Sequence, residues 1–398
     1  MPALLQVMAL AAMAFLASAL LGREQRRAGA LSFYLLAGVL LGPLGIGLLD
    51  DKSQRLLQPF LSLSVTWMGC LHGMKLFDPR APRPTWRVSL AALAEGGAII
   101  LAVMFMLRAV APTPAFGASV PLASGAAVGI AVAGSSTFAA ELLRQRLGDA
   151  WAPFRFLEAV SNVDALVPIL GLLALCFILP TPHLALPLTS FVWAPAAGLI
   201  ALGLTLGLVF LLAAGRRAPL ERAWLVLLGA AFLAAGVASQ LGLPELVVGF
   251  VAGAVTVQSV GGRRISDVVA ASERPVALLI AVIVGIRLAP DFALFGLALV
   301  ALSMRLAGPL LTLPLLKWLG PRDGLKGLAL RGLGGYPLAV AAQIDLSYGG
   351  WLGSLALAAA AAACLGTEAL ATIRLYAVLR EHRAQLATEP ASVPSGRL

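Results

Sequence analysis

Residues 123–143 read ASGAAVGIAVAGSSTFAAELL. An apolar run of membrane-span length is interrupted near its centre by Gly134, Ser135, Ser136 and Thr137. Residues 326–343 read KGLALRGLGGYPLAVAAQ, a second apolar run interrupted by Gly332, Gly334, Gly335 and Pro337. A break frees backbone groups that lipid cannot satisfy, so it is tolerated only where protein or a cavity surrounds it. Two such breaks predict discontinuous helices around a midplane binding site, the plan of a secondary transporter. The competing reading is that small residues merely let two helices pack closely.

Composition agrees with a membrane setting. Of 398 residues, 60% are hydrophobic and 12% charged, against about 25% charged in soluble domains. So little polar surface cannot cover soluble domains of this total length. Lys and Arg number 29 and Asp and Glu 19, a net charge of +10. That excess sits in short loops, so it carries no nucleic-acid signal. The three cysteines, Cys70, Cys176 and Cys364, lie in apolar stretches, and His72, His183 and His382 are scattered. Neither pattern suggests a disulfide framework, a metal centre or a cofactor. No long loop is available for an enzyme site.

Apolar runs place thirteen spans near 4–20, 31–48, 57–77, 88–109, 121–142, 156–179, 187–213, 221–239, 243–259, 274–288, 293–316, 325–345 and 351–373. Basic residues recur at every second loop. Arg23, Arg26 and Arg27 form one cluster, and Lys75, Arg80, Arg83 and Arg87 the next. Further clusters are Arg144 to Arg155, Arg216 to Arg222, Arg263 to Arg274, and Lys317 to Lys326. The loops between them carry few or none. This alternation follows the positive-inside rule and predicts an outside N-terminus and a cytoplasmic C-terminus. The expected location is a bacterial inner membrane.

The halves echo each other. FYLLAGVLLGPLGIG (33–47) and ELVVGFVAGAVTVQS (245–259) share a glycine rhythm suited to tight helix contact. They run in opposite directions across the membrane, and each precedes an interrupted span by three spans. The expected architecture is all-α with inverted-topology repeats and two discontinuous crossing helices. Residues 1–186 form the first repeat, 187–220 a linker span, 221–379 the second repeat and 380–398 a short disordered cytoplasmic tail.

Charges inside a membrane are costly and mark function by default. In FLEAVSNVDALVPILGLL (156–173) Asp164 is the deepest, with Asn162 and Ser161 just before it. Glu158 lies about 9 Å nearer the cytoplasm at 1.5 Å per residue, where it is expected to line an entry funnel. Removal from water favours a carboxylate's protonated form, so such a group can trade a proton for a monovalent cation. Ser135, Ser136 and Thr137 offer hard oxygen ligands suited to Na⁺ or K⁺. A structural role for Asp164, as salt bridge or helix contact, is the alternative. Arg331 is expected to pair with a carboxylate or to neutralise converging helix C-termini. Arg287 reads as an edge residue, open to snorkelling, and Arg305 needs a partner. Glu95, Glu245 and Glu368 are the other membrane-level acids. Glu245 is expected near the outer interface, at least cost. Glu368 sits where the repeat places the counterpart of Asp164, as ion ligand or structural pair.

Three stretches together resemble the cation:proton antiporter superfamily, especially its second bacterial branch of sodium/proton exchangers and potassium efflux membrane domains. They are YLLAGVLLGPLGIGLL (34–49), GSSTFAAELL (134–143) and RLAGPLLTLPLLKWLG (305–320) followed by ALRGLGGYPLAVAAQ (329–343). The resemblance spans most of residues 5–375. It implies a homodimer in lipid, with a core bundle moving past a dimerisation domain, and proton exchange for Na⁺ or K⁺ at Asp164. It also implies a basic residue on the family's tenth helix, for which Arg287 is the candidate. Members carry Asp, Asn or Gln directly before the aspartate. Here Val163 stands there and Asn162 one place further, which points to electroneutral exchange. A carrier of a small organic anion, served by Arg287, Arg305 and Arg331, is the second expectation.

Overall fold

The computed structural model describes residues 30–49, 51–80, 85–111, 121–135, 162–179, 194–214, 219–289, 291–319 and 334–388. Every regular element among them is helical. In chain order they are α1 (Ala30–Leu41), α2 (Asp51–Phe77), α3 (Trp86–Val110), α4 (Leu122–Ala133) and α5 (Leu166–Ile178). Then come α6 (Ala194–Ala214), α7 (Leu220–Leu241), α8 (Glu245–Thr256), α9 (Val260–Ala271) and α10 (Glu273–Arg287). The last are α11 (Phe292–Leu319), α12 (Gly335–Tyr348) and α13 (Gly350–Thr388).

These thirteen helices are not the thirteen expected spans. The 4–20 span lies outside the described residues. The extra helix is α9, where the sequence reads as a basic loop. It is amphipathic, burying Ile265 and Val269, and Ser259 caps it by accepting from Gly262 N at 2.7 Å. α9 and α10 meet at a 49° bend around Ser272. By length and composition, Trp86–Val110, Glu221–Leu241 and Gly350–Ala371 can each cross a membrane among the described residues. The helix α13 continues to Thr388, so the tail expected to be disordered from 380 begins as helix.

Two groups of helices pack side by side. α1, α2, α6, α7, α8 and α10 form one; α3, α4, α5, α11, α12 and α13 form the other. They meet chiefly where α12 lies against α2 and α10. The first group is built on two glycine crossings. Gly38 in α1 and Gly42 just after it lie on the backbone of Val282 and Ile286 in α10, and Gly285 answers against Leu35. In α8, Gly249 and Gly253 lie on Thr66 and Cys70 in α2, and Gly69 and Gly73 answer against Leu246 and Phe250. A Cβ at any of them would come within 3.0 Å of backbone carbonyl atoms of the facing helix. Large apolar side chains such as Phe33, Leu36, Leu40, Leu225 and Phe232 point outward, as a hydrocarbon solvent allows.

Candidate functional site

Helix α4 stops at Ala133 because Gly134 is extended, at φ −63° and ψ 155°. The next residue, Ser135, is buried, and its hydroxyl donates to Asp164 Oδ2 at 2.7 Å. Asp164 is 1% exposed. It sits in the helical turn before α5, whose remaining residues are apolar. The start of α12 lies alongside. Gly334 has φ +62° and opens α12, a backbone that only glycine adopts without strain. Gly335 lies so close to Ala277 of α10 that a side chain would collide. Tyr336 then reaches across, donating its hydroxyl to the carbonyl of Ala165 at 2.9 Å. Its ring is one of the groups that a Cβ on Gly134 would touch. The end of α4 and the start of α12 therefore both close on the turn that holds Asp164.

The break leaves carbonyls of α4 without helical partners, at the negative end of the helix dipole. Arg305, 4% exposed on α11, donates to Ala133 O at 3.3 Å, and the buried Glu95 of α3 is its anionic neighbour. Neutralising a helix end is one of the two roles expected of Arg331. Arg331 lies outside the described residues, as do Ser136, Thr137 and Glu158. Asn162 is half-buried and makes no hydrogen bond to Ser135 or Asp164. Residues two apart on a helix point about 200° apart, which separates Asn162 from the carboxylate.

Arg287 is not a free edge residue. It pairs with Asp345 of α12 at 2.7 Å, the two side chains being 21% and 7% exposed. Removing one partner of a desolvated pair strands the other. Arg287→Met is expected to lower the melting temperature of the purified protein, approaching a cost of roughly 3–5 kcal/mol. Arg287→Met combined with Asp345→Asn should recover most of it. An unchanged melting temperature in the single variant would show the pair to be idle.

Glu245 is paired as well. It is buried at the start of α8, where Gln343 Nε2 donates to it at 2.5 Å and Ser62 Oγ at 3.2 Å. Gln343 Oε1 accepts from Leu246 N at 2.9 Å, so one amide ties α12 to both ends of that residue pair. Glu368 accepts from Ser32 N at 2.8 Å and from the Ser32 hydroxyl, and Arg274 is its cationic neighbour. Ser32 lies in the first turn of α1, whose amides have no helical acceptor. Glu368 thus caps a helix rather than repeating the Asp164 geometry. Sequence reading missed Asp345, Gln343, Tyr336 and Ser32. The signal for Asp345 and Gln343 was present: both are polar groups at the end of an apolar span that needed partners.

Two solved structures of the sodium proton antiporter MjNhaP1 from Methanocaldococcus jannaschii are similar over most of the chain. One, at pH 8, gives a TM-score of 0.66 at 15% identity, covering 94% of this chain and 100% of that one. The other, an electron-microscopy map, gives 0.57 at 16% identity, covering 96% and 98%. This chain has the fold of MjNhaP1. No sequence-family model and no curated protein matches the chain.

Proposed function

We propose that the protein is a secondary antiporter exchanging protons for Na⁺ or K⁺ at Asp164. The observation that carries the reading is a deeply buried carboxylate, bonded by Ser135 at the break of one helix and overlain by the start of another. Ser135 and Asp164 are the proposed core of the cation site, with Ser136 and Thr137 as further oxygen ligands. The likeness to a sodium proton antiporter supports the same conclusion. The two glycine crossings support an inverted repeat: α1 on α10 and α8 on α2 are the pairs that such a repeat interchanges. Thirteen spans, an outside N-terminus, a cytoplasmic C-terminus, a homodimer and an inner-membrane location complete the proposal. With Asp164 as the one carboxylate at the site among the described residues, and Asn162 on another face of its helix, exchange is one-for-one and electroneutral.

The organic-anion alternative needs arginines available to a ligand. Arg287 is engaged by Asp345, and Arg305 by the end of α4, so two of the three candidates have other work. The test is proton flux in proteoliposomes under Na⁺, K⁺ and Li⁺ gradients in turn, with membrane potential followed in the same assay. Alkali-cation-driven proton movement without a change in potential is expected. No response to any of the three cations would overturn the reading.

A further inference from the structure

Alternating access needs one helix bundle to shift against the other around the site. The boundary between the two helix groups must therefore let go somewhere, and α12 meets that boundary in two ways. Beside Asp164 the contacts are flat. Gly335 lies on Ala277 of α10, and the Tyr336 ring stacks on His72 of α2, ring centres 4.0 Å apart and planes at 28°. Apolar contact is non-directional, so such surfaces can slide.

Gln343 and Asp345 stand about 10–14 Å beyond Tyr336 along α12, at 1.5 Å per residue, and there the contacts are directional. Gln343 Nε2 donates to Glu245 of α8 at 2.5 Å, and its Oε1 accepts from Leu246 N at 2.9 Å. Ser62 of α2 donates to the other oxygen of Glu245 at 3.2 Å. Asp345 pairs with Arg287 of α10 at 2.7 Å. A hydrogen bond survives little displacement, so α12 cannot move against α8 and α10 without breaking both pairs. The loop 346–350 that follows carries no basic residue, which under the proposed topology puts this end of α12 on the outer side. The opposite end of the boundary is tied separately, by Glu368 of α13 on Ser32 of α1.

Resting on the antiporter reading, we propose that Gln343 with Glu245 and Asp345 with Arg287 form an outer latch. Closed, as in this structure, it seals Asp164 from the outer side. Parted, it lets ions reach the carboxylate from that side. Both pairs stand away from Asp164, so the latch sets how often the site faces outward rather than which ion it holds. A hydrogen bond to a charged group is worth about tenfold in an equilibrium. Loss of one pair should raise the outward-open population by about that factor.

The experiment uses Ser62→Cys as a reporter, because Ser62 is buried against the carboxylate that Gln343 covers. A membrane-impermeant maleimide is applied to right-side-out membrane vesicles, and labelling is read site by site by mass spectrometry. Where opening is fast relative to reaction, the labelling rate follows the population of open molecules. In the reporter background, Arg287→Met combined with Asp345→Asn leaves no stranded charge and should speed labelling about tenfold. Glu245→Gln keeps the shape and removes the charge. It should speed labelling too, and it carries the test should the double variant fail to fold. Cys70, packed among Trp67, Leu71 and Phe210 inside the first helix group, should stay unlabelled throughout. In inside-out vesicles the variants should not speed labelling of the reporter. An unchanged rate from the outer face, a gain seen only from the cytoplasmic face, or labelling of Cys70 in step with the reporter overturns the proposal. Labelling needs no transport, so a wild type that moves no protons overturns the antiporter reading on its own.

Discussion

Asp164→Asn is expected to reduce cation-driven proton movement to the level of empty liposomes while leaving the protein folded. Asparagine matches the carboxylate in shape and still accepts the Ser135 hydroxyl, which donates at 2.7 Å in the native protein. What it loses is the negative charge and the titratable proton. Both halves of the exchange need these, because the cation requires an anionic ligand and the proton a base. Packing around the turn should survive, since Val163 and Ala165 are buried beside it and Tyr336 bonds a backbone carbonyl. Melting temperature and monodispersity of the purified variant check the fold, and flux under the best wild-type gradient checks function. Exchange at the wild-type rate would rule out Asp164 as the exchange site.

Gly253→Val is expected to have the largest effect on stability. Gly253 of α8 lies directly against the backbone of Cys70 in α2, and Gly69 and Gly73 press back on Leu246 and Phe250. The colliding atoms are backbone carbonyls, so no side-chain rotation relieves the overlap, and the helices must separate. Overpacking in a tight core costs about 1–3 kcal/mol even when side chains can adjust. In lipid, helix association depends on close packing itself, so separation forfeits the contact along its whole length. It also displaces Glu245 at the head of α8 from Gln343 and Ser62. Gly229→Val on α7 is the control, because nothing lies within 4 Å of the added Cβ. A large loss of melting temperature is expected for Gly253→Val and little change for Gly229→Val. Equal behaviour of the two would show that the crossing does not stabilise the fold.

The interruption after Ala133 was legible because Gly134 and a run of hydroxyl residues cannot continue an apolar helix quietly. Asp164 was legible for a similar reason, as a charge with apolar residues following for more than two turns. The glycine rhythm of 33–47 and 245–259 pointed to close crossings, and both segments cross a partner on glycines. Helix α9 was missed because Arg263, Arg264 and Asp267 give its stretch the composition of a loop. Its burial of Ile265 and Val269, four apart, was the helical signal. Arg305 holds the end of α4 and Arg287 pairs with Asp345. Neither partner was legible, because depth along a span does not tell which way an arginine faces.

Composition and pattern alone determined an all-helical fold of membrane-spanning character, the point where α4 stops and the residue most worth testing. Only the tertiary structure decided which polar groups meet: Ser135 with Asp164, Arg287 with Asp345, Gln343 with Glu245, His72 with Tyr336. In a soluble helix the apolar stripe announces which way each residue turns. A helix bathed in lipid is apolar on every side, so its sequence carries depth but little rotation. Rotation is set by glycine contacts and buried pairs with distant helices, and those exist only once the helices have packed.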